Sequence, residues 1–555
     1  MSALAFINFF RCLLRVAALS LLTGCAVPGF TGPGLPVLIC GLLLALLVNC
    51  RPLVDQDRLD EFWLRRLLLD GVSSGSGSAG PDCTATQNYA QSFDLSVVDP
   101  ASAGIGFTIT TQTISDRFGA AVAGGGDFNG DGIGDIVVSA ANGGAGGGLV
   151  YVILGVEGSR ADVDATDLIR IASSSTGDNL GKRAQVLDFA GDVNGDGFDD
   201  LMIGAYGALG GDGSAFLIFG SASPGDVFLS SYSAAEAARF DGGMSYEAGY
   251  SVAGLGDVNG DGLDDFAIGH KYGPADYGGA NIVFGTMSGF ASPVSTSAIT
   301  GSVGRAVTGE SLFSYTGTSV SPAGDVNQDG LRDMVVGSSA IDGQGGAYVI
   351  YGQSGSGTDI DLATWSATDG FKVSGAAGDT YWGLSSGGGG DFNGDGLPDF
   401  TTGTRNASSN AGKTALLFGG VGALDLGTLT PAEGFVLTGQ AANDFSGYDH
   451  DLANDVNGDG FDDLFIGAYR AGNGGGGTQS GSAYLVFGRA DPPTGTNLSS
   501  YSGGTTGIRI DGFSTGDRLG SSVATGDING DGCADMIVGA PEINEAYVIY
   551  GGRAE

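Results

Sequence analysis

The sequence predicts an all-β fold, a seven-bladed β-propeller whose blades are four-stranded antiparallel sheets. Three observations predict it. One Asp-rich nonapeptide recurs seven times at near-constant spacing between residues 127 and 535. Each copy leads into a short β-branched run with no helical period. A strand-like segment, 106–110 (GFTIT), precedes the first copy and supplies the one strand that the last repeat lacks.

Composition agrees with many short strands. The 555 residues include 105 Gly and only 15 Pro, with 42% hydrophobic and 15% charged residues. Abundant Gly beside Val, Ile, Tyr and Phe suits strands joined by tight turns, and the apolar content is too high for disorder. The 62 acidic and 23 basic residues give a formal net charge of −39. That balance excludes nucleic acid, which demands basic patches, and unaided adsorption to anionic lipid. His270 and His450 stand far apart with no Cys or Glu at zinc spacing, so no zinc site is expected. Of the six Cys, Cys12, Cys25, Cys40 and Cys50 fall in the apolar N-terminus. For Cys83 and Cys533 the expectation is two unpaired thiols, with a single bridge between them as the alternative.

The first 88 residues read separately from the rest. Residues 1–25 have the form of an export signal: Arg11 and Arg15, the apolar run 16–22, then Leu22-Thr23-Gly24-Cys25. That tetrad resembles the lipobox of bacterial lipoproteins, in which the Cys carries lipid. A second apolar run, 35–48, is 14 residues long, short of the ~20 that a membrane span needs. Segment 1–50 is thus a signal or hydrophobic anchor region. Residues 51–70 have a weak helical pattern, and 71–80 are a Gly/Ser linker. Every version sends residues 89–555 out of the cytoplasm; secretion, a lipid anchor at Cys25 and a membrane anchor stay open.

The nonapeptide reads D-x-N-x-D-G-x-x-D. Its metal-ligating positions 1, 3, 5, 7 and 9 are Asp127, Asn129, Asp131, Ile133 and Asp135 in the first copy. The second and third copies supply Asp192, Asn194, Asp196, Phe198 and Asp200, then Asp257, Asn259, Asp261, Leu263 and Asp265. The fourth and fifth supply Asp325, Asn327, Asp329, Leu331 and Asp333, then Asp391, Asn393, Asp395, Leu397 and Asp399. The last two supply Asp455, Asn457, Asp459, Phe461 and Asp463, then Asp527, Asn529, Asp531, Cys533 and Asp535. Successive copies are 65, 65, 68, 66, 64 and 72 residues apart.

The spacing has a chemical reason. Ca²⁺ takes six to eight oxygens at about 2.3–2.6 Å from carboxylates, amides and backbone carbonyls. Positions 1, 3 and 5 of a tight loop offer Asp, Asn and Asp oxygens, and Gly at position 6 permits the left-handed turn. Position 7 then gives its carbonyl and is free to vary, its side chain turning into the core. For Cys533 packing is therefore expected in place of thiolate ligation. Asp at position 9 closes the shell. An EF-hand would need Glu at position 12, where this chain has Val138, Ile203, Ile268, Val336, Thr402, Ile466 and Val538. Dockerin-like modules use the nonapeptide in closer pairs that lead into helices. Three Asp in each of seven loops account for 21 of the 62 acidic residues, and seven Ca²⁺ would move the formal charge from −39 to −25. Crowded carboxylates strain a fold that lacks the cation, so about seven Ca²⁺ per chain are expected as structural components.

Each repeat carries four strand-like pieces, at 118–123, 135–139, 149–154 and 168–172 in the first. Later fourth strands are expected at 238–241, 297–301, 371–375, 435–439 and 508–512. The seventh repeat has its third strand at 546–550, so 106–110 should complete its blade, closing the ring and removing an exposed edge.

Two short elements inside the repeats then identify a resemblance. Arg117-Phe118-Gly119 and Arg518-Leu519-Gly520 carry an FG element, and Gly539-Ala540-Pro541, Gly204-Ala205-Tyr206 and Gly467-Ala468-Tyr469 carry a GAP-like one. Over roughly residues 89–555 the chain resembles FG-GAP repeat proteins, as in integrin α-subunit propellers and bacterial surface proteins. In integrins only some blades carry the calcium loop, whereas all seven do here; nothing resembles the thigh or calf domains. The resemblance implies a calcium-binding, cell-surface adhesion or ligand-recognition module with an extracellular protein or glycan as partner. Lectin-like glycan binding and a passive scaffold are the alternatives. Connections 206–213, 271–279 and 471–481 are candidate contact surfaces. No enzyme is expected: some phospholipase-type proteins append such repeats to a zinc domain, for which this chain has no room, and a Ser-His-Asp set could arise only through His270 or His450.

Overall fold

The β-branched runs after the nonapeptides form the second strand of each blade, and those strands are buried on both faces, as Ile136–Ala140 and Asp200–Ala205 show. A strand covered on both sides needs neighbours in its sheet and sheets above and below it, which a ring of blades supplies. The computed structural model describes residues 86–87, 93–94, 105–111, 115–164, 168–273, 276–472, 479–491, 496–502 and 504–554. The chain divides between Val72 and Ser73, and all described residues belong to the second unit. The signal, lipobox, second apolar run and linker read from the sequence lie outside the described residues. Among the described residues no helix is long and apolar enough to cross a membrane.

Seven sheets form the blades. Their inner strands are Phe118–Gly124, Leu187–Gly191, Ala248–Gly256, Thr316–Gly324, Ser385–Gly390, Ser446–Asn454 and Val523–Gly526. Within each blade the inner, second, third and outer strands pair antiparallel, as at Leu201↔Phe189, Leu201↔Ile218 and Phe216↔Arg239 of blade 2. The nonapeptides join inner to second strands and therefore share one rim. Second-to-third connections, and those from each outer strand to the next blade, occupy the opposite rim.

Ring closure follows the sequence expectation. Gly106–Thr110 pairs antiparallel with Glu545–Ile549 as the outer strand of blade 7. Phe107 and Ile109 are buried in a cluster with Phe118, Val138 and Val548, so the closing strand is also core. Each apolar cluster joins neighbouring blades; Val150 and Ile171 of blade 1, for example, meet Phe216 and Leu201 of blade 2.

Three details differ from the sequence reading. The outer strand of blade 3 is Gly304–Thr308, while the expected segment 297–301 begins in a 3₁₀ turn, Thr296–Ala298. The apolar Ile299 there packs into the core as part of the connection, which is why it mimics a strand. Second, six blades are five-stranded, because each outer strand gains a two-residue parallel strand from the blade that follows. Val227–Phe228 clasps blade 1, Val294–Ser295 blade 2, Ile360–Asp361 blade 3, Leu424–Asp425 blade 4, Phe93–Asp94 blade 6 and Val163–Asp164 blade 7. In blade 5 the clasp is a single bridge, Thr438↔Asn497. The residue before a clasp often caps it: Asp162, Asp226 and Asp359 accept the backbone N–H of Thr108, Arg170 and Ala306 at 2.7, 2.9 and 3.0 Å. Third, Cys533 is disulfide-bonded, which overturns the expectation of a free thiol there. The other five cysteines of the chain lie outside the described residues.

Candidate metal centres

Each nonapeptide wraps around its own first carboxylate. In the first loop Asp127 accepts N–H bonds from Asp131 and Gly132 at 3.0 and 2.8 Å. Asn129 Oδ1 accepts from Asp131 N at 2.8 Å, and Asp131 Oδ1 accepts from Ile133 N at 3.0 Å. Positions 1, 3 and 5 thus bend inward through local side-chain bonds, and the other loops repeat the scheme, as at Asp391, Asn393 and Asp395, save that the position-3 bond is absent in loop two. Gly at position 6 has φ between 84° and 92° in all seven loops. A Cβ at Gly396 would meet nothing within 4 Å, so backbone conformation and not space demands glycine there.

Position 9 does more than the sequence reading assigned to it. Its Oδ1 accepts an N–H from the glycine after the third strand in every blade, from Gly155 to Asp135 at 2.7 Å through Gly551 to Asp535 at 2.9 Å. Its Oδ2 accepts the N–H of position 2 in six loops, at 2.8–3.1 Å. Burial pushes the carboxyl up to about 7 in Asp135 and Asp333, about 8 in Asp265 and Asp399, about 9 in Asp200, and well above its usual range in Asp463 and Asp535. The backbone N–H bonds pull against that rise, and the negative charges at positions 1 and 5 add to it.

The loops are also tied to one another, through positions that the metal reading left without a role. The carbonyl of position 2 accepts an N–H from the residue after that glycine in the next blade, at all seven junctions. These bonds run from Ser221 to Phe128 (3.0 Å) around to Val156 with Ile528 (3.3 Å). Position 8 adds a carboxylate strut at three junctions: Asp199, Asp264 and Asp462 accept the N–H of Asp127, Asp192 and Asp391 at 2.8, 2.9 and 2.7 Å. Position 7 is half-buried, except for fully buried Cys533. Phe198 and Phe461 lie across the position-4 glycines of the preceding loops, where a Cβ would meet them at 2.6 and 2.4 Å. The expectation that position 7 turns into the core thus holds only for Cys533. The preceding loop's small position 4 offers the nearer apolar surface.

The donor set fits an oxygen-seeking cation. Every side-chain ligand expected from the sequence is a carboxylate or an amide. In loop two, Asn194 Oδ1 and Asp200 Oδ2 are buried with no hydrogen-bond partner, two orphaned oxygens at positions 3 and 9 of one loop. An oxygen that already accepts one N–H keeps a second lone pair for a metal. Among the described residues no three His, Cys, Asp or Glu side chains alone form a metal-holding group, so a shell here draws on the amide and the backbone carbonyl as well.

The two histidines are packed inside the sheets. His270 is buried, donates through Nδ1–H to the carbonyl of Tyr272 at 2.9 Å, and is pulled down to about 4 by burial. His450 Nδ1 lies 3.2 Å from Ser385 Oγ, but Nε2 has no partner and both residues are buried between blades 5 and 6. Among the described residues no carboxylate bonds His450, so the pair has no third member of a hydrolytic triad there.

The rim opposite the metal loops carries the three candidate contact connections, of which 274–275 and 473–478 lie outside the described residues. Around the axis on this rim sit aromatic rings covered by cations. Arg183 Cζ is 3.8 Å from the Tyr250 ring centre, Arg405 Cζ 5.1 Å from Tyr448, and Arg470 Cζ 4.8 Å from Phe445. Lys271 Nζ lies within 5.0–5.3 Å of the Tyr250, Tyr272 and Tyr315 rings. Sequence reading named three of these connections but not the ring. Its members come from different blades, and no spacing along the chain marks them.

Comparison with known proteins agrees with the repeat reading. The FG-GAP repeat family model matches residues 118–153, 189–218, 447–486 and 519–550, which are blades 1, 2, 6 and 7. Integrin alpha-V of Gallus gallus is 32% identical over 204 residues, covering 35% of this chain and 17% of that protein. Integrin alpha pat-2 of Caenorhabditis briggsae is 34% identical over 93 residues, 17% of this chain and 7% of that protein. The chain thus spans less than a fifth of the length of either relative. Among solved structures, a triple-arginine mutant of AofleA from Arthrobotrys oligospora matches at 8% identity and TM-score 0.33, covering 78% of this chain and 98% of that one. Bacillus licheniformis rhamnogalacturonan lyase PL11 matches at 11% identity and TM-score 0.31, covering 78% and 72%. Scores this low carry no argument.

Proposed function

We propose that this chain, a β-propeller that matches the FG-GAP repeat model in four segments and is similar over part of its length to integrin alpha subunits, is a calcium-braced adhesion or ligand-recognition module working outside the cytoplasm. The single observation that carries this reading is the division of labour between rims. Seven near-identical loops with oxygen-only side-chain donors stand on one rim, and four unlike groupings of a cation over aromatic rings stand on the other.

Calcium, when bound, supplies a divalent charge that lets the crowded loop carboxylates stay ionised. The chain's own residues do the rest. Positions 1, 3 and 5 bend the loop, position 9 ties it to the third strand, and position 2 ties it to the next blade. A ring stiffened in this way holds the opposite rim in one shape, which lowers the ordering entropy that binding must overcome. Catalysis is not proposed, because both histidines are buried and untriaded.

The test is adhesion of the immobilised chain to extracellular-matrix proteins and to a glycan array, in calcium and in EGTA. Retention of a matrix protein only in calcium supports the reading. Retention of sugars alone turns it into a lectin, and binding to nothing in either buffer leaves a scaffold.

A further inference from the structure

The mouth of the propeller axis on the rim opposite the metal loops is built at the expense of backbone strain. The residue just before each inner-strand turn has a left-handed φ in all seven blades: Arg117 55°, Asn179 58°, Glu247 54°, Tyr315 52°, Tyr381 63°, Phe445 55° and Arg518 57°. Glycine takes that conformation freely, whereas a residue with a Cβ pays about 1–2 kcal/mol. None of the seven is glycine. Large side chains at strained positions, one from each blade, are what a binding surface needs and a mere turn does not.

The chemistry of the mouth is the inverse of the chain's average. In a protein with 23 basic residues and a net charge of −39, Arg183, Lys271, Arg405 and Arg470 gather here over aromatic rings. Among the described residues none of the four makes an ion pair; the pairs at this mouth are those of Arg117 and Arg518 with Glu542. Glu247 is the acidic group felt by Lys271. Arg183 Nε and Arg470 Nε are buried with no hydrogen-bond partner. The two sides of the mouth are one surface, since Tyr206 packs on Tyr250 at 5.6 Å and feels Tyr448 of blade 6. Gln185 Nε2 donates to Ser386 O at 2.9 Å, linking blade 2 to blade 5 across the axis.

Ring faces already covered by the chain's own cations are not free to stack on sugars or to hold a partner's cation. Exposed apolar side chains share this rim: Met244 (86% exposed), Leu312, Phe313 and Phe513 stand on its connections, with the Phe313 ring 6.5 Å from that of Tyr315. Cations without an ion pair on a rim that also exposes apolar groups match a partner that is acidic and apolar together. We infer that this mouth docks an acidic, aromatic-bearing peptide segment of a partner protein, its carboxylates meeting Arg183, Lys271, Arg405 and Arg470. This rests on the adhesion reading above and names the chemical class of the partner.

The test uses the full chain in calcium, with a random Glu–Tyr copolymer as probe beside polyglutamate, polygalacturonate and polylysine. Expected is saturable binding of the Glu–Tyr copolymer that weakens as salt rises. The paired substitution Arg405→Gln with Arg470→Gln should weaken it at least about tenfold, as loss of two charge contacts predicts. Arg170→Gln, on an outer strand and paired with Asp226, should not. If the paired variant misfolds, carbodiimide coupling of the copolymer to the unaltered chain serves instead: adducts should fall on Lys271 and spare Lys372 and Lys413, which are held in ion pairs. Equal or tighter binding of polygalacturonate would replace the peptide with an acidic glycan. Tighter polylysine, or binding unchanged by the substitutions and coupled elsewhere, would overturn the inference while leaving calcium-dependent adhesion standing on its own test.

Discussion

The two rims of the propeller obey different rules. On the loop rim positions 1, 2, 5 and 9 of the nonapeptide keep the same backbone partners in all seven copies, so the copies have nearly the same sequence there and the same bonds. On the mouth rim the repeats share a backbone feature, the left-handed residue before each inner strand, while its side chain changes from Arg to Asn, Glu, Tyr and Phe. The contrast teaches that sameness around a ring marks the work of holding it together. Difference around the ring marks the surface that can read something else.

The largest expected effect breaks the loop rim alone. EGTA should lower the melting temperature by roughly 10 °C or more, because ligands that bind only the folded state stabilise it by mass action. Calorimetry with and without chelator reads it, and equal transitions would remove calcium from the structure. Next comes closure, which both rims depend on. Phe107 is 1% exposed in the closing strand, so Phe107→Ala should lose about 3–5 kcal/mol in denaturant unfolding. A loss under about 1 kcal/mol would mean that the ring does not rely on that strand.

A smaller substitution sharpens the comparison between neighbouring loops. Asp264→Ala removes the strut to Asp192 N and should destabilise by about 1–2 kcal/mol. Ala534 holds the same position in loop seven without a carboxylate, so Ala534→Ser should be near neutral there. Equal effects at both positions would show that the strut does nothing. The smallest effect lies between the rims, where Asp449 accepts bonds from Ser522 Oγ and Val523 N and burial pushes its carboxyl up to about 7. Asp451 is the charged group that adds to this rise. A folded-state value above the ordinary 3.8 means that the stability present below about pH 4 is lost as pH rises through 7. Asp449→Asn should therefore melt higher relative to the parent at pH 8 than at pH 4.5. A pH-independent difference would contradict the buried-carboxyl account.

Much of the fold was legible because its signals are local. Spacing, the Gly at position 6 and the strand after position 9 lie within one repeat, and GFTIT resembles the outer strands GFKVS and GFVLT closely enough to place it. What escaped depends on partners one blade away. The two-residue clasps are too short for any periodic signal, although the Asp before Val163, Val227 and Ile360 could have flagged them. The position-2 and position-8 bonds run between loops, and the mouth gathers Arg183, Arg405 and Arg470 from three different blades. The free thiol expected at Cys533 failed for the same reason, since its bond is made outside its own repeat.

The most direct test of the central claim is metal analysis of the purified full chain after dialysis against trace calcium. Seven loops of one chemistry predict close to seven Ca²⁺ per chain. One or two per chain, or none, would contradict the account and leave the loop rim held by its backbone and carboxylate bonds alone.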